Sequence, residues 1–75
     1  MDYETAFATV LRQCRHEAGL TQESLALEAE VDRSYISLLE RGKHNVTLKM
    51  LLRLCQVMNI EASEFVSRLK NRLGE

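Results

Sequence analysis

The sequence predicts an all-α protein, a compact bundle of five helices. Three observations lead there. Apolar residues recur three and four apart in five separate windows, which is the spacing of one helix face. No stretch of useful length alternates apolar and polar residues as a half-buried strand does. The chain has no proline, and its three glycines stand at positions 19, 42 and 74, between or after the periodic windows.

The first helix is expected from about Tyr3 to Ala18, with Phe7, Val10, Leu11, Cys14 and Ala18 on one face and Gly19 ending it in a left-handed conformation. Thr21 is placed to cap a second, two-turn helix carrying Leu25, Ala26 and Ala29. A break follows at Glu30-Val31, after which Asp32 caps a third helix that buries Ile36 and Leu39 and stops at Gly42. Thr47 caps the fourth helix, whose apolar face is read as Leu48, Leu51, Leu52, Cys55 and Met58, with Asn59 as a left-handed stop. The fifth spans about Ala62 to Arg72 and aligns Ala62, Phe65, Val66, Leu69 and Leu73.

A length of 75 residues gives room for a single domain, residues 1–75. Such a chain buries only about 60 to 65% of its unfolded surface, so further burial against a partner subunit is physically attractive. No run approaches the roughly 18 apolar residues of a membrane span, and the start Met1-Asp2-Tyr3-Glu4 is acidic where a signal peptide is basic. A cytoplasmic location is expected. Cys14 and Cys55 then stay as thiols and fit as core fillers. Cys14 and His16 alone supply too few ligands for zinc, and no cofactor motif is present. No glycine-rich phosphate loop or paired acid motif points to an enzyme.

Formal charge is −1, but the charges are unevenly placed. Residues 1–32 carry Arg12 and Arg15 against seven acids, whereas residues 33–53 carry Arg33, Arg41, Lys43, Lys49 and Arg53 against Glu40 alone. One short stretch thus gathers the positive charge, as a phosphate-contacting surface would. Within it lies the third predicted helix. At 100° per residue Ile36 and Leu39 point one way, while Arg33, Ser34, Ser37 and Arg41 point the other, with Tyr35 and Leu38 on the flanks. The outward face is polar and free of acids. Arginine in a first turn matches guanine O6 and N7, serines permit close approach, and a tyrosine flank suits a thymine methyl or a phosphate. The two short helices joined by about three residues must cross steeply, and Ala26 supplies the small residue needed where they meet.

These residues carry a resemblance. Through Gly19-Leu20-Thr21-Gln22-Glu23, Tyr35-Ile36-Ser37 and Glu40-Arg41-Gly42, residues 7–66 resemble the Cro/C1-type helix-turn-helix regulators, also called the xenobiotic-response-element family. The chain length, with Asp32-Arg33-Ser34-Tyr35-Ile36-Ser37 and Asn45-Val46-Thr47-Leu48, looks most like the controller proteins of restriction–modification systems. The resemblance implies a lambda repressor-like fold and a sequence-specific transcriptional regulator bound to a double-stranded DNA operator. It implies that Arg33, Ser34, Tyr35 and Ser37 face bases or adjoining backbone. Gln22, Arg41, Lys43, His44, Asn45 and Thr47 are implied on phosphates. Glu30 departs from the glycine or asparagine usual in the family's turn, and has to take a positive φ there.

A homodimer is expected, with the C-terminal helix, about residues 62–73, as its contact and Val66, Leu69 and Leu73 exposed until a second subunit covers them. RNA polymerase is a further candidate partner of such a regulator. The competing reading is an antitoxin-type module whose main ligand is another protein and which also binds DNA; the fold is common to both.

Overall fold

The computed structural model describes all of residues 1–75. Five helices follow one another: α1 Tyr3–Glu17, α2 Gln22–Ala29, α3 Arg33–Glu40, α4 Leu48–Val57 and α5 Ala62–Leu73. α1 packs on α3 and α5, α2 packs on α3 and α4, and α4 meets α5. Leu11, Leu25, Ile36, Leu39, Leu54 and Phe65 are fully buried where these helices converge. Phe7 and Phe65 join α1 to α5 with ring centroids 5.4 Å apart, within the range of favourable tilted aromatic pairs.

Side-chain caps start α1, α2 and α4. Asp2 accepts from the Thr5 N–H at 2.7 Å, and Thr47 accepts from Met50 at 3.1 Å. Thr21 and Ser24 cap reciprocally, each hydroxyl accepting from the other's backbone N–H, at 3.0 and 2.9 Å. Asp32 takes the cap position of α3 with extended backbone, but its side chain makes no cap hydrogen bond. The expectation there was right in place and wrong in mechanism.

All five helix ends use one device. A residue with positive φ follows the helix, and the next N–H reaches back five residues to a carbonyl: Leu20 to Arg15, Val31 to Ala26, Lys43 to Leu38, Ile60 to Cys55 and Glu75 to Lys70. The positive-φ residues are Gly19, Glu30, Gly42, Asn59 and Gly74. The paired backbone bonds satisfy carbonyls that a helix end leaves open.

Three apolar stripes differ from expectation. On α5, Leu69 packs on the core and Leu73 is half-buried instead of both standing exposed, which leaves only Val66 of the three open. Ala18 is exposed, because α1 ends at Glu17. On α4 the core side is Leu51, Leu54, Cys55 and Met58, spaced i, i+3, i+4 and i+7, while Leu48 stays 73% and Leu52 50% exposed. A ten-residue helix with so many apolar positions offers two overlapping stripes, and packing against α2 and α5 selects one. Leu48 and Leu52 form the other. No helix is long and apolar enough to cross a membrane.

Candidate nucleic-acid interface

α3 is a short helix held by one face. Ile36 and Leu39 are buried, and together with Leu25, Ala29 and the half-buried Val31 they form the contact with α2. Ala26, 3% exposed, lies where the two helices meet. The opposite edge is open: Arg33, Ser34 and Arg41 are exposed, and Ser37 is half-buried. No acid stands on that edge, because Glu40, the one acid in the helix, is buried at 3% exposure.

Tyr35 is also half-buried, its ring packed on the core. Burial pushes its phenol above the ordinary pKa, so the hydroxyl remains a proton donor at neutral pH. The ring of His44 meets it edge-on, with centroids 5.7 Å apart and planes at 82°. The connection between α3 and α4 is thereby fixed against the exposed helix. That connection carries Arg41, Lys43, His44, Asn45 and Thr47, all exposed. The Thr47 hydroxyl oxygen already serves the α4 cap, which leaves its proton as the group available to a ligand.

Gln22 opens α2. With Arg15, His16, Thr21, Glu23 and Arg33 it lines a shallow polar hollow, so the chain folds Gln22 and Arg33 to the same place. The backbone N–H groups of the first turn have no acceptor inside the helix and carry its partial positive charge. Lys43, His44 and Asn45 share a second hollow with Asp2 and Glu4 of the α1 start.

Behind the exposed edge lies a charged cluster that the sequence reading missed. Arg15, 8% exposed, grips the Glu40 carboxylate through Nε at 2.6 Å and Nη2 at 2.9 Å, and its Nη1 donates to the Leu20 carbonyl at 2.9 Å. Gln22 Nε2 donates to Glu40 Oε1 at 3.1 Å, and Arg12 donates to the Glu40 carbonyl at 2.7 Å. Burial works to raise the Glu40 pKa; hydrogen bonds from Arg15 and Gln22, with the charges of Arg15 and Arg12, outweigh it and hold the carboxyl below its usual value. The signal was present: Arg15 stands four residues after Leu11, and Glu40 four after Ile36, both on buried faces. Opposite charges at core positions of two helices imply a buried pair, because neither is tolerated alone.

The basic stretch is smaller than the residue count implies. Arg53 donates to the Ala29 carbonyl at 3.2 Å and ties α4 to the end of α2. Lys49 remains exposed. No group of three or more His, Cys, Asp or Glu side chains converges. Cys14 and Cys55 are both buried thiols, and burial pushes Cys55 up to about 11.

The Helix-turn-helix family model matches residues 11–65, a span that holds α2, α3 and α4 entire. The chain belongs to the helix-turn-helix family. It is 36% identical over 76 residues to the control protein C.SmaI of Serratia marcescens, a match covering 99% of this chain and 90% of that one. It is also 33% identical over 70 residues to the HTH-type transcriptional regulator RamB of Mycobacterium tuberculosis; there the chain spans only 15% of the relative's length. The restriction–modification controller protein C.Esp1396I, solved as a tetramer in complex with its natural 35 base-pair operator, superposes with a TM-score of 0.88 at 29% identity, covering 100% of this chain and 99% of that one. In this helix-turn-helix protein α2 and α3 are the motif's helix pair, and Glu30-Val31-Asp32 is its turn.

Proposed function

We propose that this protein is a sequence-specific, double-stranded DNA-binding transcriptional regulator of the restriction–modification controller kind, acting as a homodimer on an operator of two half-sites. One observation carries the reading: α3 presents an acid-free edge of Arg33, Ser34 and Ser37, Gln22 shares a polar hollow with Arg33, and the connection that follows α3 exposes Arg41, Lys43, His44 and Asn45. A helix of this kind fits the major groove, and donors beside it suit the bordering phosphates. The formal charge of −1 is unevenly placed: only the buried Glu40 lies in residues 33–53, while of the seven acids in residues 1–32 Asp2, Glu4 and Glu23 border the two polar hollows. RNA polymerase is the protein partner that activation at a promoter would require.

In this reading Arg33 reads a base, and Ser34, Tyr35 and Ser37 face bases or adjoining backbone. Gln22, Arg41, Lys43, His44, Asn45 and Thr47 hold phosphates. The measurement is binding to the duplex recovered by selection from random sequence, compared with random duplex, across a salt series. Arg33→Ala is expected to weaken the selected duplex by about 1 to 3 kcal/mol and to relax preference at one or two positions. Lys43→Ala is expected to weaken both duplexes alike and flatten the salt slope by about one. Failure to recover any preferred sequence, or equal weakening of both duplexes by Arg33→Ala, refutes base reading by α3.

A further inference from the structure

We propose that Glu40 is a positioning residue for DNA binding: its buried carboxylate fixes the Gln22 side-chain amide at the start of α2, so that the amide's second N–H is held ready for a backbone phosphate. The inference rests on the reading of Gln22 as a phosphate contact.

The geometry sets the orientation. A carboxylate only accepts, so the Gln22 nitrogen and not its oxygen must face Glu40, as the 3.1 Å bond from Nε2 has it. That nitrogen carries two protons, and Glu40 takes one. The other is left over at the polar hollow shared with Thr21 and Arg33. A free glutamine has several rotatable bonds to immobilise when it grasps a ligand; one already held loses less on binding.

Charge explains why Arg15 belongs to the same unit. A bare carboxylate near the start of α2 would repel a phosphate. The two-pronged contact from Arg15, Nε to Oε2 at 2.6 Å and Nη2 to Oε1 at 2.9 Å, offsets that charge, and Oε1 accepts from Gln22 as well. Glu40 also closes α3 and Gln22 opens α2. Their hydrogen bond therefore fixes the base-reading helix relative to the phosphate contact.

The alternative is that the buried pair serves stability alone. Replacing both partners, Arg15→Met with Glu40→Leu, separates the two, because apolar residues of similar volume often keep or raise the stability of a buried ion pair's site. Binding is measured on the duplex selected from random sequence, with thermal unfolding monitored alongside. Gln22→Ala alone is expected to weaken binding about tenfold, the size of one hydrogen bond to a charged group. The paired replacement is expected to weaken it equally, with an unchanged salt slope, since a neutral amide displaces no counterion. Adding Gln22→Ala to the paired replacement is expected to change nothing more.

A folded paired variant that binds like the unmodified chain overturns the proposal while leaving the Gln22 contact in place. A salt slope lower by about one in the paired variant also overturns it, because Arg15 would then meet the phosphate directly. If Gln22→Ala by itself leaves binding unchanged, the phosphate reading of Gln22 fails and the proposal with it. Where the paired variant does not fold, the unmodified chain gives the answer: the Gln22 side-chain amide is expected to show an NMR order parameter near about 0.85, and a value below about 0.6 overturns the proposal.

Discussion

Glu30 holds φ 62° and ψ 43°, the left-handed region, in the turn between α2 and α3. A side chain bearing a Cβ is strained there, and glycine is not. The position is kept left-handed by the bond from Val31 N–H to the Ala26 carbonyl at 2.9 Å, which brings the chain round to α3. Glu30→Gly is therefore expected to raise stability by about 0.5 to 1 kcal/mol in urea unfolding, with operator affinity unchanged. A loss of stability would show that Glu30 is favoured by a contact outweighing its backbone strain. Gly42 is left-handed as well, with φ 69°; an added Cβ would meet Thr5 and Glu4 of α1 only at ordinary contact distance, 3.5 to 3.6 Å, so it is the backbone conformation that favours glycine there.

At the scale of the element, the motif helices are only eight residues each, too short to hold themselves in water. α2 depends on its reciprocal Thr21–Ser24 cap, and α4 on the Thr47 cap. α3 has no side-chain cap bond at all, so its apolar contact with α1 and α2 must carry it. Thr21→Ala and Thr47→Ala are each expected to cost about 1 kcal/mol. Asp32→Ala is expected to cost less than either, and chemical unfolding of the three variants side by side checks the order. An Asp32→Ala loss as large as the threonine losses would mean that the carboxylate does cap α3 in solution.

The whole molecule measures 32 × 24 × 21 Å. The proposed homodimer has to place its two α3 helices about 34 Å apart, one turn of DNA. Val66, 39% exposed, and the uncovered Leu48 and Leu52 are apolar groups that the proposed interface would cover; α4 and α5 pack together, and Leu52 and Ala62 line one groove. Leu73 is half-buried. Leu69 sits differently: it packs on the core and lines a hollow with Phe7 and Val46. A charge at Leu69 would damage the monomer, whereas Val66→Glu tests the interface itself. Val66→Glu is expected to sediment as a monomer with an unchanged helical spectrum, and a variant that remains dimeric would move the interface off α5.

Number, order and approximate ends of the helices were determined by the sequence alone, since spacing, most caps and left-handed stops are local properties that act within a few residues. The acid-free edge of α3 and the cations of residues 41–47 were legible for the same reason. Tertiary structure alone decided which of two apolar stripes α4 buries, that Arg53 is spent on the Ala29 carbonyl, and that Arg15, Glu40 and Gln22 form one cluster. Each of these depends on what a neighbouring helix offers. Pairings between residues 18 to 25 positions apart along the chain leave no periodicity to read; they exist because packing removes water and makes an unpaired charge or polar group too costly to leave.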